Sequence, residues 1–178
     1  LNVAAARGLA GEMLAGRANR VEVRRAFVTR GLVNALVGAE EAGVLSIDVD
    51  GVDYWLWEAV EDARPRIVII EYNASLGAGR PITVPYRDDF SAADAHPSRY
   101  YHGASLAALE KLGRRKGYSL VAVDAAGVNA FFVREDIRPP ALAARRAGEL
   151  FRPHWMRGRV HSPEQQWALI RHLPYEEV

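Results

Sequence analysis

Two stretches decide the fold: Val44-Leu-Ser-Ile-Asp-Val-Asp-Gly-Val52 and Pro65-Arg-Ile-Val-Ile-Ile-Glu-Tyr-Asn73. Each is an apolar run of strand length that ends in acid, and the second holds four consecutive aliphatic residues, Ile67 to Ile70. Continuous runs, rather than alternation, mark strands covered on both faces by helices, hence a parallel sheet. Between them Val52 to Ala63 carries Tyr54, Trp55, Trp57, Ala59 and Val60, a wide apolar face that predicts a helix closed by Pro65.

Working outward towards the N-terminus, Leu32 to Val37 reads as a short helix and Val21 to Val28, which contains Phe27, as a strand. Before them Val3 to Gly16 places Leu9, Met13 and Leu14 at helical spacing. Towards the C-terminus, Asn73 to His102 is a long stretch rich in Gly, Pro, Asp and Ser, expected to be a functional loop. Ala104 to Lys116 reads as a helix with Leu106, Leu109 and Leu112 on one side and Gly117 just beyond its end. Tyr118 to Asp124 and Val128 to Val133 are joined by Ala-Ala-Gly, a connection so short that only an antiparallel hairpin fits. The fold class expected is therefore α/β, a mostly parallel sheet with an antiparallel C-terminal hairpin edge. Residues 1–138 form that domain. Residues 139–178 form an Arg-rich tail with one terminal helix, opened by a capping box at Ser162-Pro-Glu-Gln165 and burying Trp167, Ile170 and Leu173.

Composition narrows the function classes. The 178 residues hold 23 Lys+Arg and 22 Asp+Glu, a formal net charge of +1, which gives no dense positive field for nucleic acid. Charged residues at 25% and hydrophobic residues at 49% describe an ordinary globular mixture. No apolar run approaches the ~20 residues of a membrane helix. With Cys at zero there is no disulfide framework, thiolate metal site or Cys nucleophile. The expectation is a soluble cytoplasmic protein that binds a small molecule, neither nucleic acid nor membrane; self-association into a homo-oligomer is left open.

In open α/β sheets, ligands bind outside the carboxyl ends of the strands. If the two acid-ending strands are neighbours, Asp48, Asp50, Glu71 and Asn73 converge on one rim. Carboxylates brought together repel, so their charged forms need protons or a cation. An all-oxygen set suits Mg²⁺, Mn²⁺ or Ca²⁺ better than Zn²⁺. The competing reading of Asp50 and Asp53 is that they cap the helix beginning near Val52.

Asp48-Val-Asp-Gly-Val52 after an apolar strand resembles the opening signature of haloacid-dehalogenase-like phosphohydrolases, which would make Asp48 a nucleophile and Asp50 a general acid/base beside Mg²⁺. The helix that follows at once leaves no room for that family's insertion, and Asp88-Asp89 lies in the loop rather than after a strand. The broader resemblance rests on three segments: Leu45 to Trp55, Pro65 to Ser75 and Gly127 to Arg134. These look like FkbM-type class I methyltransferases in the right order, over about Leu9 to Asp136. That resemblance implies the C-terminal two-thirds of a Rossmann-like fold and O-methyl transfer from S-adenosylmethionine to a small-molecule or sugar hydroxyl. It further resembles metal-dependent sugar O-methyltransferases of the macrocin type. Carried over residue by residue, the resemblance makes Asp48 a metal ligand and Asp50 the base for the hydroxyl proton, with Glu71 and Asn73 at the remaining ligand positions.

Cofactor contacts are expected at Phe27 and Asp48, and substrate contacts at Tyr54 and Tyr101. His102, in Tyr100-Tyr-His-Gly-Ala104, is a candidate base, and the loop with Pro81 to Pro85 and Asp88-Asp89 a candidate lid. Glu-Tyr-Asn stands where that group has adjacent acids. Neither Gly77-Ala-Gly79 nor Gly8-Leu-Ala-Gly11 has the strand–turn–helix setting of a cofactor loop, and a longer chain carrying the first βαβ unit is expected. A methyltransferase fold retained as a non-catalytic binding module is the remaining alternative.

Overall fold

The computed structural model of the protein describes residues 22–38 and 42–178. The helix expected over Val3 to Gly16 lies outside them. In chain order the elements are α1 (Val33–Val37), β1 (Val44–Ile47), α2 (Asp53–Ala59), β2 (Ile67–Glu71), β3 (Ile82–Thr83), α3 (Ala92–Ala95), α4 (Leu106–Arg115), β4 (Tyr118–Val123), β5 (Asn129–Arg134), α5 (Ala147–Leu150), α6 (Pro163–Ile170) and β6 (Glu176–Glu177).

Strands β1, β2, β5 and β4 form one sheet in that spatial order. β1 and β2 are parallel, in the register Val44↔Ile67 to Ile47↔Ile70. The hairpin docks its second strand on β2, so β2–β5 and β5–β4 are antiparallel. Among the described residues the sheet is thus mixed, with one parallel pair, rather than mostly parallel. The hairpin edge itself is as expected. β1 is an edge strand among the described residues, which leaves Val44 53% exposed where a strand covered on both faces was expected. Residues 22–28 carry no strand, a second correction. A strand needs a ladder partner, and residues 22–28 pair with no strand among the described residues.

The core forms where α2 and α4 meet the sheet. Trp57 packs tilted on Phe132 at 4.8 Å and edge-on to Tyr118 at 5.9 Å. Leu106, Leu109 and Leu112 of α4 are buried, as their spacing predicts. Gly113 lets α4 close on this cluster, because a Cβ there would stand 2.8 Å from the Phe132 ring. Lys116 donates to the carbonyls of Glu58 and Val60 at 3.1 and 2.6 Å, satisfying acceptors at the end of α2. Gly117, at φ 80°, takes the left-handed turn that ends α4.

The segment 139–178 is not a detached tail. Ala147 belongs to the main core, and Ile170 to a second cluster with Leu76, Ile82, Val84, Tyr100 and Tyr101. The Ser75 hydroxyl bonds Gln166 Oε1 at 2.7 Å, and β6 pairs antiparallel with β3. The capping box of α6 is formed in both directions between Ser162 and Gln165. The stretch 73–102, expected to lack regular elements, contains a 3₁₀ turn at Ala74–Leu76 as well as β3 and α3. No described helix is long and apolar enough to cross a membrane.

Candidate metal and substrate site

The parallel register builds the site. Because Ile47 pairs with Ile70, the next residues, Asp48 and Glu71, lie side by side just past the β1–β2 pairing, with Glu71 still paired to Asn129 of β5. The turn after β1 then brings Asp50 to them, and one carboxylate oxygen from each of Asp48, Asp50 and Glu71 lies within 4.8 Å of the others. Asp53 shapes that turn from within. Its Oδ1 accepts from the Val49 amide at 2.9 Å and its Oδ2 from the Gly51 amide at 3.1 Å. The residue before α2 is Val52, with no side-chain cap, so neither Asp50 nor Asp53 plays the capping part. Asp50 itself sits in the left-handed region at φ 54°.

Electrostatics separate the three acids. Asp48 and Asp50 are exposed, whereas Glu71 is buried. Burial, with the charges of Asp53, Asp48 and Asp50 adding to it, pushes the Glu71 carboxyl up to about 8. Burial and the Asp50 charge raise Asp48 as well. Glu71 Oε2 is buried without a hydrogen-bond partner, and so is His102 Nδ1, 3.9 Å away. That separation is too long for a hydrogen bond.

His102 faces Arg157 on its other side, with Nη2 3.0 Å from Nε2. A guanidinium only donates, so Nε2 accepts and the ring proton is assigned to Nδ1, towards Glu71. Burial first, then the charges of Arg157 and His154, hold His102 down at about 3. It is neutral, and its one lone pair is engaged. The base expected at His102 is therefore corrected to a residue that orients its neighbours.

The site also reassigns Asn73. Its Nδ2 donates to the carbonyls of Tyr100 and His102 at 2.7 and 2.8 Å, and its Oδ1 accepts from Ser75 N and Arg157 Nη1 at 3.0 and 3.1 Å. Both donors and both lone pairs are used, so Asn73 ties the wall of the site together instead of offering a ligand atom. Tyr54 is core: it is buried, and its hydroxyl accepts from Arg115 at 2.7 Å.

A cavity of about 400 Å³ opens beside the acids, lined by Phe27, Asp50, Phe90, Arg99, His102 and Arg157 among others. Phe27 is thus at the site although it is 65% exposed and not in a strand. A neighbouring cavity of about 500 Å³ lies across Phe90 and Ser91, which line both. Tyr101 borders that second space, away from the acid cluster, with its hydroxyl donating to the Pro174 carbonyl. Of the expected lid, Pro85 and Asp89 border the second cavity, while Phe90 to Ala93, which follow it in the chain, line the first.

Arg157 and Arg99 were not singled out from the sequence. The only local cue for Arg157 is His154, three residues earlier. Its Nδ1 accepts from the amides of Met156 and Arg157 at 3.2 and 3.4 Å and so turns the chain inward. An all-oxygen set with an orphaned buried carboxylate oxygen fits a hard divalent cation, with Asp48 and Glu71 its natural holders and Asp50 beside them. No protein-family model, no curated protein and no solved structure matches the chain.

Proposed function

We propose that the chain carries the acceptor-binding half of an S-adenosylmethionine-dependent O-methyltransferase, acting on a small-molecule or sugar hydroxyl with a divalent cation. The observation that carries this reading is the meeting of Asp48, Asp50 and Glu71 at the carboxyl ends of two parallel strands, with one Glu71 oxygen buried and unpaired. Strand ends of this kind are where open α/β sheets take their ligands. The antiparallel hairpin edge agrees with the same fold.

When bound, the cation would lower the pKa of the acceptor hydroxyl and S-adenosylmethionine would supply the methyl group. Asp48 and Glu71 hold the charge of the site in place. Asp50, exposed and lining the cavity, is the carboxylate placed to take the hydroxyl proton. His102 and Asn73, locked by Arg157, keep the wall behind Glu71 rigid. Phe27 and Phe90 provide apolar lining that limits water at the reacting oxygen. Among the described residues no glycine-rich turn between strand and helix borders this cavity.

The test is a calorimetric titration of S-adenosylmethionine into the full-length protein, with and without Mg²⁺, followed by methyl transfer to a panel of hydroxyl compounds. Saturable binding with Mg²⁺-dependent transfer that Asp50→Asn abolishes is the expected result. Absence of binding under both conditions overturns the reading and leaves a non-catalytic module. Mg²⁺-dependent release of phosphate from an aryl phosphate, lost in Asp48→Asn, replaces it with the phosphohydrolase alternative.

A further inference from the structure

The cavity beside the acid cluster has an unexpected charge balance. Its charged lining is Asp50 alone against two arginines, Arg99 and Arg157. Arg157 spends one N–H on Asn73 and one on His102, which leaves three of its five guanidinium donors. Its guanidinium stands over the Tyr100 ring at 5.9 Å, so its position is set before any ligand arrives. The Arg99 guanidinium makes no hydrogen bond or ion pair with any described residue.

Backbone conformation singles out the same place. Among the described residues only two that are not glycine have left-handed backbone, Asp50 at φ 54° and Arg99 at φ 58°, and both line this cavity. Such conformations are unfavourable for residues with a Cβ and collect at ligand sites. The Arg99 amide is held by the His96 carbonyl at 2.9 Å, which fixes the turn that carries it. Two arginines facing one space without an acid paired to either is an arrangement that recognises oxyanions, since a guanidinium matches carboxylate and phosphate geometry with paired donors.

We propose that the cavity selects a hydroxyl compound that is also an anion, its carboxylate or phosphate group lying between Arg99 and Arg157 and its hydroxyl facing Asp50. The placement of the hydroxyl rests on the methyltransferase reading; the anion site stands on the arginines alone. A volume of about 400 Å³ is at the small end of ligand sites, which suits a hydroxycarboxylate or a phosphorylated alcohol of a few carbons. The two arginines would also offset the repulsion such an anion meets from Asp48 and Asp50.

The experiment is ligand-observed NMR titration of the full-length protein, in Mg²⁺ and without methyl donor, using glycolate, glycerol 3-phosphate and neutral glycerol as probes. At least one of the two anions is expected to bind saturably and glycerol not to; which anion binds identifies the group recognised. Arg99→Gly removes the guanidinium at a position whose backbone glycine prefers. It should weaken anion binding roughly tenfold or more with an unchanged or higher thermal midpoint. Arg99→Lys should retain part of the affinity. Equal binding of glycerol, no binding of either anion, or an Arg99→Gly protein that binds as well as the parent overturns the inference. Anion binding without any methyl transfer would remove the proposed function and leave the anion site. Methyl transfer to neutral acceptors that ignores Arg99 would do the reverse.

Discussion

Asp53, in the turn after β1, and Glu71, at the end of β2, are both buried carboxyl groups a few residues apart in space, 1% and 7% exposed. Asp53 receives two backbone N–H groups from the turn it closes. Glu71 has one oxygen that receives nothing. Burial raises both, but the amides of Val49 and Gly51 draw Asp53 back, while the surrounding acids push Glu71 further to about 8. A buried acid whose donors come from its own turn is a piece of architecture. One that is left with an unpaired oxygen beside two other carboxylates is suited to a cation or a proton.

The comparison breaks most sharply at Asp53. Asp53→Ala strands two backbone donors and should cost about 2–4 kcal/mol in a urea unfolding curve, whatever the metal present. A loss under 1 kcal/mol would show that the turn holds itself. Next in size is the response to cation. At a hundred times its Kd, Mn²⁺ or Mg²⁺ should stabilise the protein by about 2.7 kcal/mol, and the gain should vanish in Asp48→Asn and Glu71→Gln. A gain that survives both substitutions would place the ion elsewhere.

The third is a pH effect. Folded Glu71 keeps its proton up to about 8, whereas the unfolded chain loses it near 4.5, so its contribution to stability falls as pH rises between those values. His102 acts on the other side: neutral when folded, it loses stability as pH drops below 6.5. The window from pH 6.5 to 8 therefore reports Glu71, with a loss of about 2 kcal/mol that Glu71→Gln should remove. A parent protein whose unfolding free energy is flat across that window contradicts the buried-carboxyl assignment. The smallest effect concerns Asp50. Asp50→Gly relieves the left-handed backbone and should raise stability by about 1 kcal/mol or less while abolishing proton removal. Destabilisation instead would mean that the Asp50 side chain supports the turn.

Much of the site's frame was legible because it depends on local pattern. Strands of apolar run-plus-acid form at Val44 to Ile47 and Ile67 to Glu71, and their parallel pairing brings Asp48 and Glu71 together. The hairpin, the α4 face and the Ser162 capping box follow from spacings of a few residues. The errors lie where a residue's part is set by distant neighbours. Asn73 sits at the expected position, but groups from residues 75, 100, 102 and 157 consume its hydrogen-bonding capacity. Tyr54 points its hydroxyl to Arg115 rather than to the acids. The Val21 to Val28 segment has strand-like residues and no ladder among the described residues.

By itself the amino-acid sequence determined the central strands and helices and which two strands end in acid, because hydrophobic period and capping act over one or two turns of chain. Only the tertiary structure decided which acid is satisfied and which is left unpaired, and that Arg157, from a stretch expected to be a tail, locks His102 and Asn73 behind them. Those outcomes depend on burial and on donors supplied from up to 84 positions away, which no local spacing encodes.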